Sequence, residues 1–319
     1  MRRVSSKGLR RPWPRLISVA RDWLEAVIRT ALDAEIRDCW QPASGAIAET
    51  YVVELAGHEH RRVVCKRGGA SIWTDEVIEP RVTKWVGETT ALPVPTVLAQ
   101  GSIAARADSA RWALYEYLEG TRPTLDTPAQ RDWLVTRAGA MLGQLHAAFS
   151  FDRRGGLGST DGDLVIRPAD GVSILSSRLA RQVITADDAM TPAIPPVLAH
   201  GDFRPANLLV RDDRVTAVLD WGNAHITHPG FSLARAEVRF VDIPAASGRE
   251  RAELRNRFRT TYTDYHQLPA FVISELPRFK ALWIAQAAAN LVGVARTARG
   301  RSQLRRQLRE HRSRWANDI

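Results

Sequence analysis

The sequence is poor in cysteine, lysine and methionine, and what it lacks narrows its class early. Two cysteines, Cys39 and Cys65, stand among 319 residues. That is too few for the disulfide framework of a small secreted fold, so a reducing, cytoplasmic compartment is expected. No apolar run approaches the roughly 18 residues of a membrane span, and no membrane partner is expected. The N-terminus is basic but runs into an amphipathic segment with no small-residue cleavage site after an apolar block, which argues against a secretory signal. There is no Cys/His cluster, which argues against zinc. Glycine-rich phosphate cradles of the G-x-G-x-x-G or Walker type are missing as well.

Hydrophobic residues make up 45% of the chain and charged residues 25%. These are globular proportions, and they exclude wholesale disorder, collagen and coiled coil. The length is about twice a typical domain of roughly 150 residues, so one large or two coupled domains are expected. The net charge of +10 suggests a nucleic-acid partner until it is located. Residues 1–11 carry five basic groups and no acid, and residues 296–314 carry eight arginines against Glu310. The span 12–295 is left near neutral, and that distribution argues against nucleic acid as the partner. Of the 45 basic residues, 41 are arginine and 4 lysine, a bias that fits a GC-rich coding genome better than a binding function. Arg301, Arg305, Arg309 and Arg312 fall on one helical face, with Leu304, Leu308 and Trp315 on another, so the helix is expected to leave its charge in solvent. The basic N-terminal run is expected to be a frayed end.

Hydrophobic spacing predicts a helix over 15–38. Two β-branched runs, Thr50–Leu55 and Arg61–Lys66, flank a turn at Gly57 and predict a hairpin. A helix is expected from Asp75 to about Gly87, with Pro80 in its first turn or kinking it. Leu92–Pro95 reads as an extended linker and Arg111–Leu118 as a strand. Thr127-Pro-Ala-Gln130 is a helix start, with an N-cap threonine, proline at the first helical position and glutamine placed for a capping box; that helix should reach about Phe149. Residues 151–163 read as irregular, Val197–Asp220 as two short strands, and Glu250–Trp315 as mostly helical with breaks near Pro269 and Pro277. Strands therefore dominate up to about residue 120 and helices after it. Three units are expected: a helical extension at 1–39, a strand-rich lobe at 40–120 and a mainly helical lobe at 121–319.

Chemistry concentrates in Val197-Leu-Ala-His-Gly-Asp-Phe-Arg-Pro-Ala-Asn207 and in Val215-Thr-Ala-Val-Leu-Asp-Trp-Gly222. An acid and an amide share one tight loop, and a second acid ends a strand thirteen residues after the amide. Phosphoryl transfer from a nucleotide needs this set. One carboxylate orients and deprotonates the accepting hydroxyl, while an amide oxygen and another carboxylate hold Mg²⁺ on the phosphates.

His-Gly-Asp-(x)₄-Asn followed by Asp-Trp resembles the signature of the aminoglycoside phosphotransferase family, which includes choline and homoserine kinases and shares the protein-kinase fold. Val63-Val-Cys-Lys66, Glu79 ahead of Leu92-Pro-Val-Pro95, Tyr115-Glu-Tyr-Leu-Glu-Gly120 and Leu142-Gly-Gln-Leu-His146 resemble further landmarks in the family's order. The resemblance covers roughly residues 40–235. It implies an α+β, bilobal protein-kinase-like fold, with an N-terminal β-sheet lobe carrying a helix and a larger, mainly helical C-terminal lobe. It also implies Asp202 as catalytic base, Asn207 and Asp220 as Mg²⁺ ligands, and Lys66 on the nucleotide phosphates. Glu79 would fix the ammonium, with Glu76 the competing partner. Backbone groups at Glu116, Tyr117 and Leu118 would meet the base of ATP or GTP. His200 would brace the loop. Arg204 is open between contact with a phosphate or anionic substrate and a surface or bracing role. Tyr117 and Trp221 are expected to be packing aromatics.

Two departures accompany the resemblance. The covering loop over the phosphates reduces to Ala43-Ser-Gly-Ala-Ile47, with Ser44 and backbone amides in place of glycines; and Ser232 stands where many relatives carry an acid, a position expected to be structural. Asp-Trp-Gly for Asp-Phe-Gly, His-Gly-Asp for His-Arg-Asp, and no Ala-Pro-Glu argue against a protein substrate. The expected function is an ATP- and Mg²⁺-dependent kinase for a hydroxyl of a small molecule, an antibiotic in the first instance. The alternatives are an aminoglycoside kinase, a metabolic kinase for choline, homoserine or a sugar, and a catalytically silent nucleotide- or nucleic-acid-binding protein. Over 250–300 the acids are Glu250, Glu253, Asp264 and Glu275 among many arginines, which leans the acceptor toward a nucleoside-type or other non-polycationic molecule. Oligomeric state is not readable from the sequence.

Overall fold

A computed structural model of the chain describes residues 18–42, 48–105, 108–168 and 194–296. The first helix, α1 (Ser18–Leu32), ends at Asp33, whose φ of +49° is left-handed backbone. The helix expected to reach residue 38 stops short of it, and residues 35–38 belong instead to a strand, β1 (Glu35–Trp40). Past Asp33 the chain pairs antiparallel with β2 (Ala48–Ala56). The sheet therefore begins inside the segment assigned to a helical extension. A hairpin joins β2 to β3 (Arg62–Gly68), with Thr50 opposite Lys66. Two more strands, β4 (Val97–Ala105) and β5 (Asp108–Glu116), complete a five-stranded antiparallel sheet in the order β1-β2-β3-β5-β4.

The period of two along a strand sorts the faces of this sheet. Tyr51, Val53, Leu55, Val63 and Cys65 turn to one face, where Leu24, Val27 and Ile28 of α1 complete a core. Lys66 follows Cys65 and so belongs to the other face. Burial pushes the Cys65 thiol up to about 12, which leaves it a core residue with no reactive thiolate.

Helix α2 (Glu79–Thr89) starts four residues later than expected, with Pro80 in its first turn. Asp75 has φ +57°, so a helix cannot run through it. Ile78, Val82 and Val86 are fully buried and join the core of the second half, as does Trp85 against Phe149, ring centroids 4.5 Å apart. Helix α2 thus belongs to the first lobe in sequence and to the second in packing.

The second lobe opens with α3 (Pro128–Ala148), whose capping box between Thr127 and Gln130 is complete. Residues 151–163 prove not to be irregular. They contain β6 (Gly155–Thr160), which pairs with β7 (Asp163–Arg167). Three strands, not two, lie between 197 and 220: β8 (Val197–Ala199) and the hairpin β9 (Leu208–Arg211) and β10 (Arg214–Val218). The β9–β10 hairpin forms a two-stranded sheet of its own, while β8 joins β11 (His225–Thr227), β6 and β7 in a four-stranded sheet in the order β7-β6-β11-β8. Three helices follow, α4 (Pro229–Glu237), α5 (Gly248–Thr263) and α6 (Ala270–Arg296). The expected break at Pro277 is absent, since α6 carries that proline inside it. Among the described residues no helix is long and apolar enough to cross a membrane. The arginine face at 301–312, the basic run at 1–11 and the Ala43–Ile47 loop with Ser44 lie outside the described residues.

Helices α3 and α5 meet at Gly139, where a methyl would be driven into the Phe258 carbonyl oxygen and the Thr261 hydroxyl. Replacing glycine by alanine inside a helix ordinarily gains about 1 kcal/mol, whereas overpacking costs about 1–3 kcal/mol. The close approach involves backbone, so the steric cost wins. Gly139→Ala is expected to lower the thermal midpoint by about 2–4 °C or more in calorimetry; an unchanged or raised midpoint would show that the two helices can separate freely.

Candidate active site

Strand β3 delivers Lys66, and the first turn of α2 delivers Glu79. The Lys66 ammonium donates to Glu79 Oε1 at 2.5 Å and stands 3.6 Å from Asp220 Oδ1. Burial works against the Lys66 ammonium, but Glu79 and Asp220 outweigh it and hold its pKa above the usual lysine value. Burial pushes the Glu79 carboxyl up, and Lys66 offsets only part of that rise. Glu76, the competing partner, lies off the helix and is engaged elsewhere. It accepts from the Ser159 backbone N–H at 2.8 Å and from Arg167 Nε at 3.2 Å, which ties the segment before α2 to the β6–β7 hairpin.

Asp220 follows β10 in left-handed backbone, φ +72° and ψ +61°, a conformation that aspartate tolerates better than most residues. Its side chain is 49% exposed, against 8% for Glu79. Of the two carboxylates near Lys66, one is closed in by protein and the other is open to a ligand.

The second cluster hangs from β8. His200 is buried and neutral. Its Nε2–H donates to the Leu219 carbonyl at 3.0 Å, and its Nδ1 accepts from the Asp202 N–H at 3.2 Å. Burial lowers its pKa to about 4. The imidazole is a brace between the loop and the strand leading to Asp220, and no proton is left for transfer. Gly201 has φ +80°, and a side chain there would collide with the Asn223 carbonyl, so glycine is required for close approach as well as for conformation. Asn207 Nδ2 donates to the Asp202 backbone oxygen at 2.9 Å and to Asp202 Oδ2 at 3.1 Å, and the Asn207 carbonyl accepts from Leu219 N–H at 2.8 Å. With its amide nitrogen committed, Asn207 has Oδ1 left as the acceptor for a cation.

Arg204 Nε lies 2.8 Å from Asp202 Oδ2, and Arg235 Nη2, from α4, lies 3.7 Å from Oδ1. Burial alone would raise the Asp202 carboxyl; these two arginines, with Arg239 behind them, outweigh it and hold the pKa below the ordinary aspartate value. Arg235 and Arg239 were absent from the sequence-derived set. Their four-residue spacing after the helix start at Pro229 was the available signal, since it places both on one helical face.

The segment between the lobes is pinned at both ends. Glu116 donates its N–H to the Thr96 carbonyl and accepts from the Thr96 hydroxyl at 2.8 Å; Thr121 exchanges two backbone hydrogen bonds with Val210 of β9. Tyr117 and Leu118 are half-buried between these anchors, with the Arg62 guanidinium 5.6 Å from the Tyr117 ring centroid. Trp221 is buried, donating Nε1–H to Val218. Ser232, buried, bonds to His146 Nε2 at 3.0 Å, and His146 Nδ1 bonds to the Tyr262 hydroxyl at 2.8 Å. Trp73 is a contact the sequence did not reveal. It stacks on His225 at 4.1 Å and donates Nε1–H to the Asn223 carbonyl, holding the first lobe to the loop after Asp220.

The model of the phosphotransferase enzyme family matches residues 38–271. The sequence has no match among curated proteins. Among solved structures, the chain resembles amicoumacin kinase hAmiN in complex with AMP-PNP, Ca²⁺ and Ami, at TM-score 0.63 and 12% identity, covering 92% of this chain and 94% of that one. It resembles macrolide 2′-phosphotransferase MphH from Brachybacterium faecium at TM-score 0.56 and 19% identity, covering 88% and 96%. It also resembles a thermostable mutant of aminoglycoside phosphotransferase APH(4)-Ia, in ternary complex with AMP-PNP and hygromycin B, at TM-score 0.51 and 14% identity, covering 83% and 98%. The protein-kinase-like, bilobal fold is common to them.

Several buried histidines govern behaviour in acid. Burial lowers His200 to about 4 and His225 to about 3, both below the ordinary value of about 6.5. The unfolded chain therefore takes up protons that the folded chain refuses. Stability present above about pH 6.5 should be lost as the pH falls toward 4. The thermal midpoint is expected to drop between pH 7 and 5, with the His200 and His225 ring resonances unchanged over that range. A ring titrating near 6.5 would contradict the assignment.

Proposed function

The chain belongs to the phosphotransferase enzyme family, and from that premise we propose that it transfers the γ-phosphoryl group of ATP to a hydroxyl of a small, non-polycationic molecule of antibiotic type. The observation that carries this reading is the clustering of Lys66, Glu79 and Asp220 on one side and of Asp202 with Asn207 on the other, the two clusters being linked through Leu219, which bonds to Asn207 and His200 and precedes Asp220.

The residues divide the work. The Lys66 ammonium, held by Glu79, meets the α- and β-phosphates. The segment Glu116–Leu118, fixed at both ends, offers backbone groups to the adenine. Asn207 Oδ1 and the exposed Asp220 carboxylate are hard oxygen donors and fit Mg²⁺. When bound, Mg²⁺ supplies charge neutralisation on the phosphate oxygens.

Asp202 is ionised at neutral pH, because Arg204 and Arg235 hold its pKa down. It is therefore a weak base, and its work is to orient the acceptor hydroxyl. As the acceptor oxygen bonds to the γ-phosphorus and the bond from that phosphorus to the β-bridging oxygen breaks, the hydroxyl proton becomes acidic and passes to Asp202, while ADP departs. A late proton transfer suits a loose transition state, in which little nucleophilic push is needed. Asn207 locks the carboxylate through Oδ2. The reaction is placed in the cytoplasm, where ATP is abundant and the buried thiols of Cys39 and Cys65 stay reduced.

The relatives named for amicoumacin, macrolide and hygromycin B support an antibiotic as acceptor. A panel of ADP-release assays across macrolides, nucleoside antibiotics, aminoglycosides, choline, homoserine and sugars tests the class. Asp202→Asn keeps the shape of the side chain and should lower kcat by about 10²–10⁴-fold while nucleotide affinity stays within a few-fold. Turnover close to wild type in that variant would remove Asp202 from the reaction.

A further inference from the structure

Three guanidinium groups surround one carboxylate beside the proposed acceptor hydroxyl. Arg204 touches Asp202 directly, Arg235 approaches it at 3.7 Å, and Arg239 stands one helical turn further along α4 and into the π-helical turn Val238–Asp242. Among the described residues Asp202 is the only carboxylate within 4 Å of Arg235, and none lies that close to Arg239. The Nε atoms of both are buried without a hydrogen-bond partner among the described residues.

The neighbouring acids are committed elsewhere. Glu237 sits on the opposite side of the same helix, fully buried, with Arg259 and Lys280; Asp242 accepts from Arg255 at 2.8 Å and Lys280 at 2.6 Å. The nucleotide-end carboxylates, Glu79 and Asp220, gather at Lys66. The local balance around Asp202 is thus three positive groups to one negative, and half-buried cations in surplus are costly unless an anion joins them. Burial already lowers Arg235 to about 10. Arg239 is further oriented by the Trp283 ring of α6, 4.9 Å from its guanidinium carbon. An under-partnered set of planar guanidinium forks is the arrangement that recognises carboxylate or phosphate, and it repels an ammonium.

We infer that Arg204, Arg235 and Arg239 form an oxyanion-recognition subsite beside Asp202, so that the acceptor carries a carboxylate or phosphate group near the hydroxyl that is phosphorylated. This rests on the kinase reading above and narrows its acceptor from non-polycationic to anionic. Electrostatics then work in one direction, since the acceptor's charge is neutralised by the arginines before its hydroxyl reaches the phosphates.

The test is calorimetric, on the full chain saturated with Mg·ADP. Matched probes are titrated: gluconate against sorbitol, glycerol 3-phosphate against glycerol, and kanamycin as the polycation. The two anionic arms separate a carboxylate from a phosphate site. At least one anionic member should bind about 10- to 100-fold more tightly than its neutral counterpart. That preference should collapse in Arg239→Gln and in Arg204→Gln, with Mg·ADP affinity unchanged. The exposed charge control Arg249→Gln should retain it. Equal or weaker binding of both anions, preference for kanamycin, or a preference that survives in both variants overturns the subsite. Absence of Mg·ADP binding in the first step would instead remove the kinase reading itself, so the two failures are distinguishable.

Discussion

The buried contact between Lys66 and Glu79 is where the molecule's architecture and its chemistry meet. Lys66 comes from the central strand of the first sheet, and Glu79 from the helix whose other residues pack into the second lobe's core. A buried ammonium without its carboxylate, or the reverse, leaves a desolvated charge worth about 3–5 kcal/mol of destabilisation. The pair therefore constrains β3 and α2 to one relative position. Asp220 stands close enough to share the ammonium, so the same contact registers the loop after β10 as well. Glu76 and Trp73 extend the link, to the β6–β7 hairpin and to the loop at Asn223.

Around Asp202 the constraint is of another kind. The loop is bound together by neutral, directional hydrogen bonds through His200 and Asn207, and its charge is set from outside by arginines. Geometry and charge are thus supplied by different residues. The brace cannot protonate over the physiological range, and in the proposed subsite the arginines that hold Asp202 ionised would also select the molecule that approaches it. An acceptor of the same sign as the arginines would meet repulsion where it most needs alignment.

Much of this was legible in the sequence because it rests on short-range rules. The capping box at Thr127–Gln130 and the β2–β3 hairpin both follow from local spacing. The motif around Asp202 and Asn207 was legible because acid and amide lie five residues apart on one loop. What escaped depended on distant partners. Glu35–Asp38 reads as a helix tail until β2 is there to pair with it, and the glycines of β6 have no strand signature of their own. Asp75, in left-handed backbone, separated Glu76 from the helix and so settled which glutamate reaches Lys66; helical spacing alone could not. Arg235 and Arg239 look like an ordinary solvated helix face until the fold brings Asp202 opposite them.

In the proposed reaction, Lys66 and Asp220 close a nucleotide site that works through a divalent cation. Titration of AMP-PNP into the wild type, Lys66→Met and Asp220→Asn, each with and without Mg²⁺, addresses it directly. Wild-type binding should depend on Mg²⁺, Lys66→Met should weaken it about tenfold or more, and Asp220→Asn should bind with little dependence on Mg²⁺. Wild-type protein that fails to bind AMP-PNP, or variants that bind with wild-type affinity and the same Mg²⁺ dependence, would contradict it.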